Sequence, residues 1–130
     1  MYRISKIIFS LLGWRTIGDN DFPKKCVLIA VPHTSNWDFF YARLYSYIVK
    51  IQPKYLAKKE LFVPFISYLI KLNGGIPVDR SKKNKLVDFL SKKIIDSKTI
   101  ILSLSPEGTR KKVDKWKTGF YYIAQKANVP

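Results

Sequence analysis

The chain predicts an α/β fold, a mainly parallel or mixed sheet flanked by helices, and three observations carry that expectation. Short apolar runs at residues 27–31, 76–78 and 99–104 are continuous rather than alternating, the pattern of buried strands. Segments with apolar residues at helical spacing lie between them, and strands that alternate with helices build βαβ units whose sheet faces are covered. The length of 130 residues fits one domain, and 47% hydrophobic content is enough for a packed core and too high for a disordered chain.

Taken in order, Ile4, Ile7, Ile8, Leu11 and Leu12 recur at helical spacing, Arg3, Lys6 and Arg15 supply charge, and Gly13 ends or frays the helix. Two readings stand for this amphipathic segment: packing on its own domain, or lying in a membrane interface with its apolar face in the acyl boundary. Residues 18–25 are a polar turn with Pro23, ahead of the 27–31 strand. A helix is expected from Asn36 to about Lys50, a short strand over 54–58, and a helix over about 60–72 that Asn73, Gly74 and Gly75 stop. After the 76–78 strand, Leu86, Phe89, Leu90 and Ile94 mark a helix over 81–96. A strand over 99–104 and a helix over 118–127 complete the series. Loops at the carboxyl ends of the strands are where such sheets carry their chemistry.

The net charge is +15, from 24 Lys and Arg against 9 Asp and Glu. Such an excess calls for an anionic partner, a phospholipid surface or a nucleic acid. Aromatic content of 15% suits either, through interfacial Trp and Tyr or through base stacking. No apolar run reaches the ~18 residues that span a bilayer. Arg3 and Lys6 ahead of Ile7, Ile8, Phe9, Leu11 and Leu12 imitate a signal peptide, but the apolar part is short and no small-x-small site follows, so a retained helix is expected. The single cysteine, Cys26, excludes an intrachain disulfide and a cysteine-based metal cluster, and reads as a small buried core residue. One histidine and scattered carboxylates make no evident metal site, and no zinc-finger or recognition-helix pattern points to nucleic acid.

Two segments join chemistry-bearing residues to turns. In residues 33–38, His33 is the chain's only histidine, the residue type whose ordinary pKa suits a general base near neutrality. Ser35 and Asp38 have the spacing of a helix capping box, which is one reading of Asp38. The other is an orienting carboxylate. On one continuous helix two residues five apart point roughly 140° apart, so His33 and Asp38 meet only if His33 lies in the loop before the helix and folds back over its first turn. Asp38 then holds one ring nitrogen and leaves the other as a base, with a substrate hydroxyl as nucleophile. In residues 106–110, Glu107 offers a carboxylate, Gly108 a close backbone approach, Thr109 a hydroxyl and Arg110 a bidentate grip on phosphate. The alternative is an ordinary polar turn. Arg80, after the 76–78 strand, either clamps the same phosphate from a second loop or is a solvated loop charge. Lys82, Lys83 and Lys85 read by default as a solvated helix face. Lys111, Lys112, Lys115 and Lys117 read as general attraction, worth ~1 kcal/mol each near an anionic leaflet.

These blocks resemble the lysophosphatidic acid acyltransferase, or glycerolipid acyltransferase, superfamily. Residues 33–38 match its HxxxxD signature, 57–61 (Ala57, Lys58, Lys59, Glu60, Leu61) resemble its second block, 75–80 its third, and 106–110 its PEGTR block. HxxxxD alone is a weak signal, whereas four blocks in order from Val27 onward are a strong one. The resemblance implies an acyltransferase domain over residues 21–130, behind a membrane-associating helix over 1–20. It implies that His33, oriented by Asp38, deprotonates the hydroxyl of a lysophospholipid, 1-acyl-sn-glycerol-3-phosphate foremost, for attack on the thioester of acyl-CoA or acyl-carrier protein in phospholipid biosynthesis. Arg80, Glu107, Gly108, Thr109 and Arg110 would bind the acceptor, the arginines on its phosphate. The acyl donor is a substrate, so no cofactor is implied.

The resemblance further implies a peripheral place on an anionic membrane surface, the cytoplasmic face of a bacterial-type inner membrane. A helix containing Leu61, Phe62, Phe65, Tyr68, Leu69 and Ile70 either lines the acyl chain or faces the core. A fourth, Val-Pro-rich block follows in the family, and Val129 and Pro130 sit at its start. The expectation is a C-terminally incomplete chain, truncated before that block, with an exposed sheet edge. The reading from a different class is a non-catalytic basic module that binds anionic membrane or nucleic acid, for which charge and aromatics suffice.

Overall fold

The computed structural model describes residues 1–79 and 83–130. Its four strands, β1 (Lys25–Ile29), β2 (Lys54–Lys58), β3 (Gly75–Val78) and β4 (Ile100–Leu104), form one sheet in the order β1-β4-β2-β3, and every described pairing is parallel. The helices are α1 (Tyr2–Leu11), α2 (Trp37–Ile48), α3 (Ile66–Leu72), α4 (Lys83–Asp96) and α5 (Gly119–Ala127). Parallel neighbours need crossovers, and right-handed ones decide which face each helix covers. The steps β1 to β2 and β2 to β3 run one way along the sheet and put α2 and α3 on one face. The step back from β3 to β4 puts α4 on the other, where α5 packs beside it.

The two faces are unequally sealed. Under α4 and α5, Ile76, Val78, Leu90, Ile94, Ile100, Leu102 and Ile123 form one cluster, with Leu90 and Ile94 fully enclosed. On the other face α2 buries Leu44 and Ser46, and α1 packs on α2 through Ser5 and Phe9. Helix α3 buries nothing.

The N-terminal segment packs one side on its own domain and leaves the other in solvent. Trp14 stacks between Phe9 and Tyr41 (ring centroids 6.0 and 4.9 Å), which ties the end of α1 to α2. Ile4, Ile7, Leu11 and Leu12 face outward. Gly13 ends the helix as expected, at φ 73 with its N–H on Ser10 O (3.0 Å) and the Trp14 N–H on Phe9 O (2.9 Å). That double closure needs a left-handed residue, and glycine adopts it without a Cβ penalty. Cys26 is a buried core residue, and burial pushes its thiol pKa up.

Two sequence expectations are corrected. The first strand runs Lys25–Ile29 rather than 27–31, because its partner sets the limits: Lys25 lies opposite Ile100, Ile29 opposite Leu104, and the Ala30 N–H makes the last bond to Leu104 O at 2.9 Å. The helix over 60–72 is broken into a 3-10 turn at Lys59–Leu61 and α3, which starts only at Ile66. Pro64 has no N–H and steers Val63 away from helical backbone, so the two turns cannot join. β1 is one edge of the sheet, and on its outer side the Val27 N–H donates to Pro130 O at 2.8 Å.

Helix α3 approaches β3 so closely that a Cβ on Gly75 would collide with Ile70 Cγ2 and lie 2.9 Å from Ile70 O. Gly75→Ala is therefore expected to cost about 1–3 kcal/mol through overpacking. The denaturant midpoint should fall at an unchanged m-value.

Candidate active site

Beyond β1 the chain enters a loop that includes a cis Val31–Pro32 bond, and His33 stands in that loop ahead of α2. Folding back over the first helical turn brings His33 Nδ1 to 3.1 Å from Asp38 Oδ2. The same oxygen accepts the N–H groups of Thr34 (2.6 Å) and Ser35 (2.9 Å), and Ser35 Oγ accepts the Trp37 N–H at 3.1 Å. The Ser35 N–H on Asp38 is one half of a capping box, while the Ser35 hydroxyl takes the Trp37 N–H one residue short of the usual partner. Both readings of Asp38 therefore hold at once: one carboxylate caps α2 and orients the imidazole. With the proton on Nδ1 and donated to Asp38, Nε2 carries the lone pair.

Desolvation pushes the Asp38 carboxyl pKa up, but the bonds from Ser35 and Thr34 N–H and from the His33 ring outweigh it and leave the pKa below the ordinary aspartate value. A depressed folded pKa means stability that is complete above the unfolded aspartate value of about 4 and is lost as pH falls through the lower folded value. Asp38→Asn should thus flatten the acid limb of the stability–pH curve, read as unfolding midpoints between neutral pH and the acid range. The side chain is 29% exposed, so solvent screening keeps the effect modest.

The second loop leaves β4, the neighbour of β1, which is why residues 74 apart in sequence meet. Glu107 Oε2 accepts the His33 backbone N–H at 2.6 Å, and Ser105 Oγ donates to the same oxygen at 3.4 Å. Glu107 thereby holds the loop that bears the imidazole. Gly108 sits at φ 64, and a Cβ there would lie 2.5 Å from Lys117 Nζ, so the Lys117 side chain crosses directly over the glycine. The Lys117 N–H also donates to Pro106 O at 2.9 Å. The sequence places Lys117 among the lysines of general attraction, and nothing in local spacing singles it out. Thr109 Oγ1 accepts the Lys111 N–H at 3.3 Å, and Arg110 is exposed.

The structure thus brings together His33, Asp38 and Glu107, with Gly108, Thr109 and Arg110 on the same loop as Glu107. Arg80 lies outside the described residues. At the carboxyl ends of β2 and β3, Lys59 Nζ donates to Asp79 Oδ2 at 2.7 Å, and that bond raises the Lys59 pKa. Among the described residues no group of three or more His, Cys, Asp or Glu side chains could hold a metal ion.

A carboxylate-held imidazole at the carboxyl edge of a parallel α/β sheet is an arrangement that can serve as a general base. The chain belongs to the acyltransferase family, whose model matches residues 14–130. It is similar to a 1-acyl-sn-glycerol-3-phosphate acyltransferase of Saccharomyces cerevisiae, 28% identical over 137 residues that cover 99% of this chain and 44% of the relative. It is also similar to a protein of the same name from Haemophilus influenzae, 30% identical over 104 residues that cover 75% of this chain and 42% of the relative. The chain spans less than half the length of these curated relatives. No solved structure matches it.

Proposed function

We propose that this chain carries the acid–base site of an O-acyltransferase that moves a fatty acyl group from a thioester donor, acyl-CoA or acyl-carrier protein, to the hydroxyl of a lysophospholipid. The names of its relatives favour 1-acyl-sn-glycerol-3-phosphate as acceptor and phospholipid biosynthesis as setting. The observation that carries the reading is the His33–Asp38 pair at 3.1 Å on a loop clamped by Glu107.

In this reading Nε2 takes the proton of the acceptor hydroxyl as its oxygen attacks the thioester carbonyl carbon. Asp38 stabilises the imidazolium that forms. The new C–O bond replaces the C–S bond, and the imidazolium returns the proton to the departing thiolate. Arg110, together with Arg80 as the family resemblance implies, supplies charge for the acceptor phosphate. Lys117, drawn over Gly108, adds a cation to the same loop.

The working place is a membrane surface, its cytoplasmic face in a bacterial-type cell. No helix of the described residues is long and apolar enough to cross a membrane, and α1 offers Arg3 and Lys6 beside exposed Ile4, Ile7 and Leu11 for peripheral contact.

The test is acyl transfer from radiolabelled acyl-CoA and acyl-carrier protein to a panel of lysolipids, with membranes carrying this chain. Transfer to one acceptor is the expected result and names the substrate. A folded, membrane-bound chain that transfers nothing to any acceptor would leave the basic binding module as the better account.

A further inference from the structure

The face of the sheet that carries α2 and α3 bears an apolar surface that the acid–base site does not use. A parallel sheet ordinarily has both faces covered by its crossover helices, yet α3 buries none of its own residues. Its closest hold on the sheet is Ile70, whose Cγ2 occupies the space a side chain at Gly75 would need. Leu61, Val63, Phe65, Ile66, Leu69 and Leu72 all face solvent, from 45% exposed at Val63 to 91% at Phe65. Phe65 also has φ 67 and ψ −53, the centre of a γ-turn closed by the Ile66 N–H on Pro64 O at 2.9 Å. A non-glycine residue in that turn is strained. Neither the strain nor the exposed ring contributes to folding.

The segment that bears this patch carries more positive than negative charge. Between residues 54 and 72 stand Lys54, Lys58, Lys59 and Lys71 against Glu60, and with Lys59 paired to Asp79 the excess is carried by Lys54, Lys58 and Lys71, in a chain of net charge +15. An apolar centre rimmed by lysines complements an anionic leaflet, with the apolar side chains entering the acyl boundary and the ammonium groups meeting headgroup phosphates. The segment leaves the carboxyl end of β2, the same end of the parallel sheet from which the His33 and Glu107 loops leave β1 and β4. Contact there would bring the acid–base site to the surface that holds a lipid acceptor.

We propose that residues 61–72, tipped by Phe65, form a membrane-contact wedge that seats on an anionic phospholipid bilayer. The inference rests on the membrane-surface part of the proposed function and gives it a contact distinct from α1.

The test attaches an environment-sensitive fluorophore to Phe65→Cys in a Cys26→Ala background, with Tyr121→Cys on the exposed opposite side as control. Vesicles contain phosphatidylglycerol in phosphatidylcholine, or phosphatidylcholine alone, with nitroxide-labelled acyl chains as quenchers. The expected result is a blue-shifted, quenched probe at position 65 with anionic vesicles, and an unchanged probe at 121. In the otherwise unaltered chain, Phe65→Ala should weaken vesicle partitioning by on the order of tenfold at an unchanged melting temperature.

A bound chain whose position-65 probe stays in water would overturn the proposal, as would a chain that does not bind anionic vesicles. A shift that needs no vesicles and grows with protein concentration would assign the patch to a second copy instead. Acyl transfer is read separately: an inactive chain with a quenched probe at 65 refutes the enzyme reading and leaves the wedge standing.

Discussion

Replacing His33 by alanine is expected to lower acyl transfer by on the order of 10³-fold with the fold intact, since a positioned general base contributes roughly 10²–10⁴. The ring is 36% exposed and its hydrogen bond is to Asp38, so its removal costs little packing. Asp38 keeps the N–H groups of Thr34 and Ser35, so the cap of α2 survives. The predicted pattern is a lost rate, an unchanged melting temperature and undiminished vesicle binding. A variant that transfers acyl groups as fast as the parent would remove His33 from the mechanism. Loss of rate together with a collapsed melting transition would point to a structural role for the loop instead.

The parts of this molecule set by local chemistry were readable before any coordinates. The strand over 54–58 appears at those limits, and the Gly13 stop follows from the one residue type that closes a helix in that way. The His33–Asp38 contact was also local: Ser35 between them sets the start of α2, and the start of α2 decides whether five residues of spacing become a contact. The cap and the orienter are not rivals, since Asp38 Oδ2 takes the Thr34 and Ser35 N–H groups as well as facing His33 Nδ1.

The break before α3 is signalled by Pro64, whose missing N–H overrides the apolar periodicity around it. Strand order was not local at all. Nothing in residues 25–29 or 100–104 says that they are neighbours, yet that pairing shifts β1 by two residues and brings Glu107 onto the His33 backbone. Lys117 over Gly108 is hidden for the same reason, because the contact depends on how the loop closes.

The bond from the His33 N–H to Glu107 leads to the second large effect. Glu107→Ala should lower kcat by about 10²-fold while KM for the acceptor stays near the parent value. A hydrogen bond to a charged acceptor is worth about 1.5–3 kcal/mol, and its loss frees the loop that carries the imidazole. A displacement of roughly 1 Å at the reacting group is enough for a 10²-fold loss, which corresponds to about 2.7 kcal/mol and so lies within the energy of that one bond.

The conservative variant separates this positioning role from the substrate contact that the family resemblance implies. Glutamine keeps an acceptor oxygen for the His33 N–H, so Glu107→Gln should recover about tenfold of the 10²-fold loss and stay about tenfold below the parent for the lost charge. If Glu107 instead gripped the acceptor, both variants would raise KM and glutamine would rescue little. Melting curves complete the distinction: the 2.6 Å bond joins two loops at the carboxyl edge rather than any part of the Leu90–Ile94 core. The alanine variant should therefore melt close to the parent while turning over far more slowly.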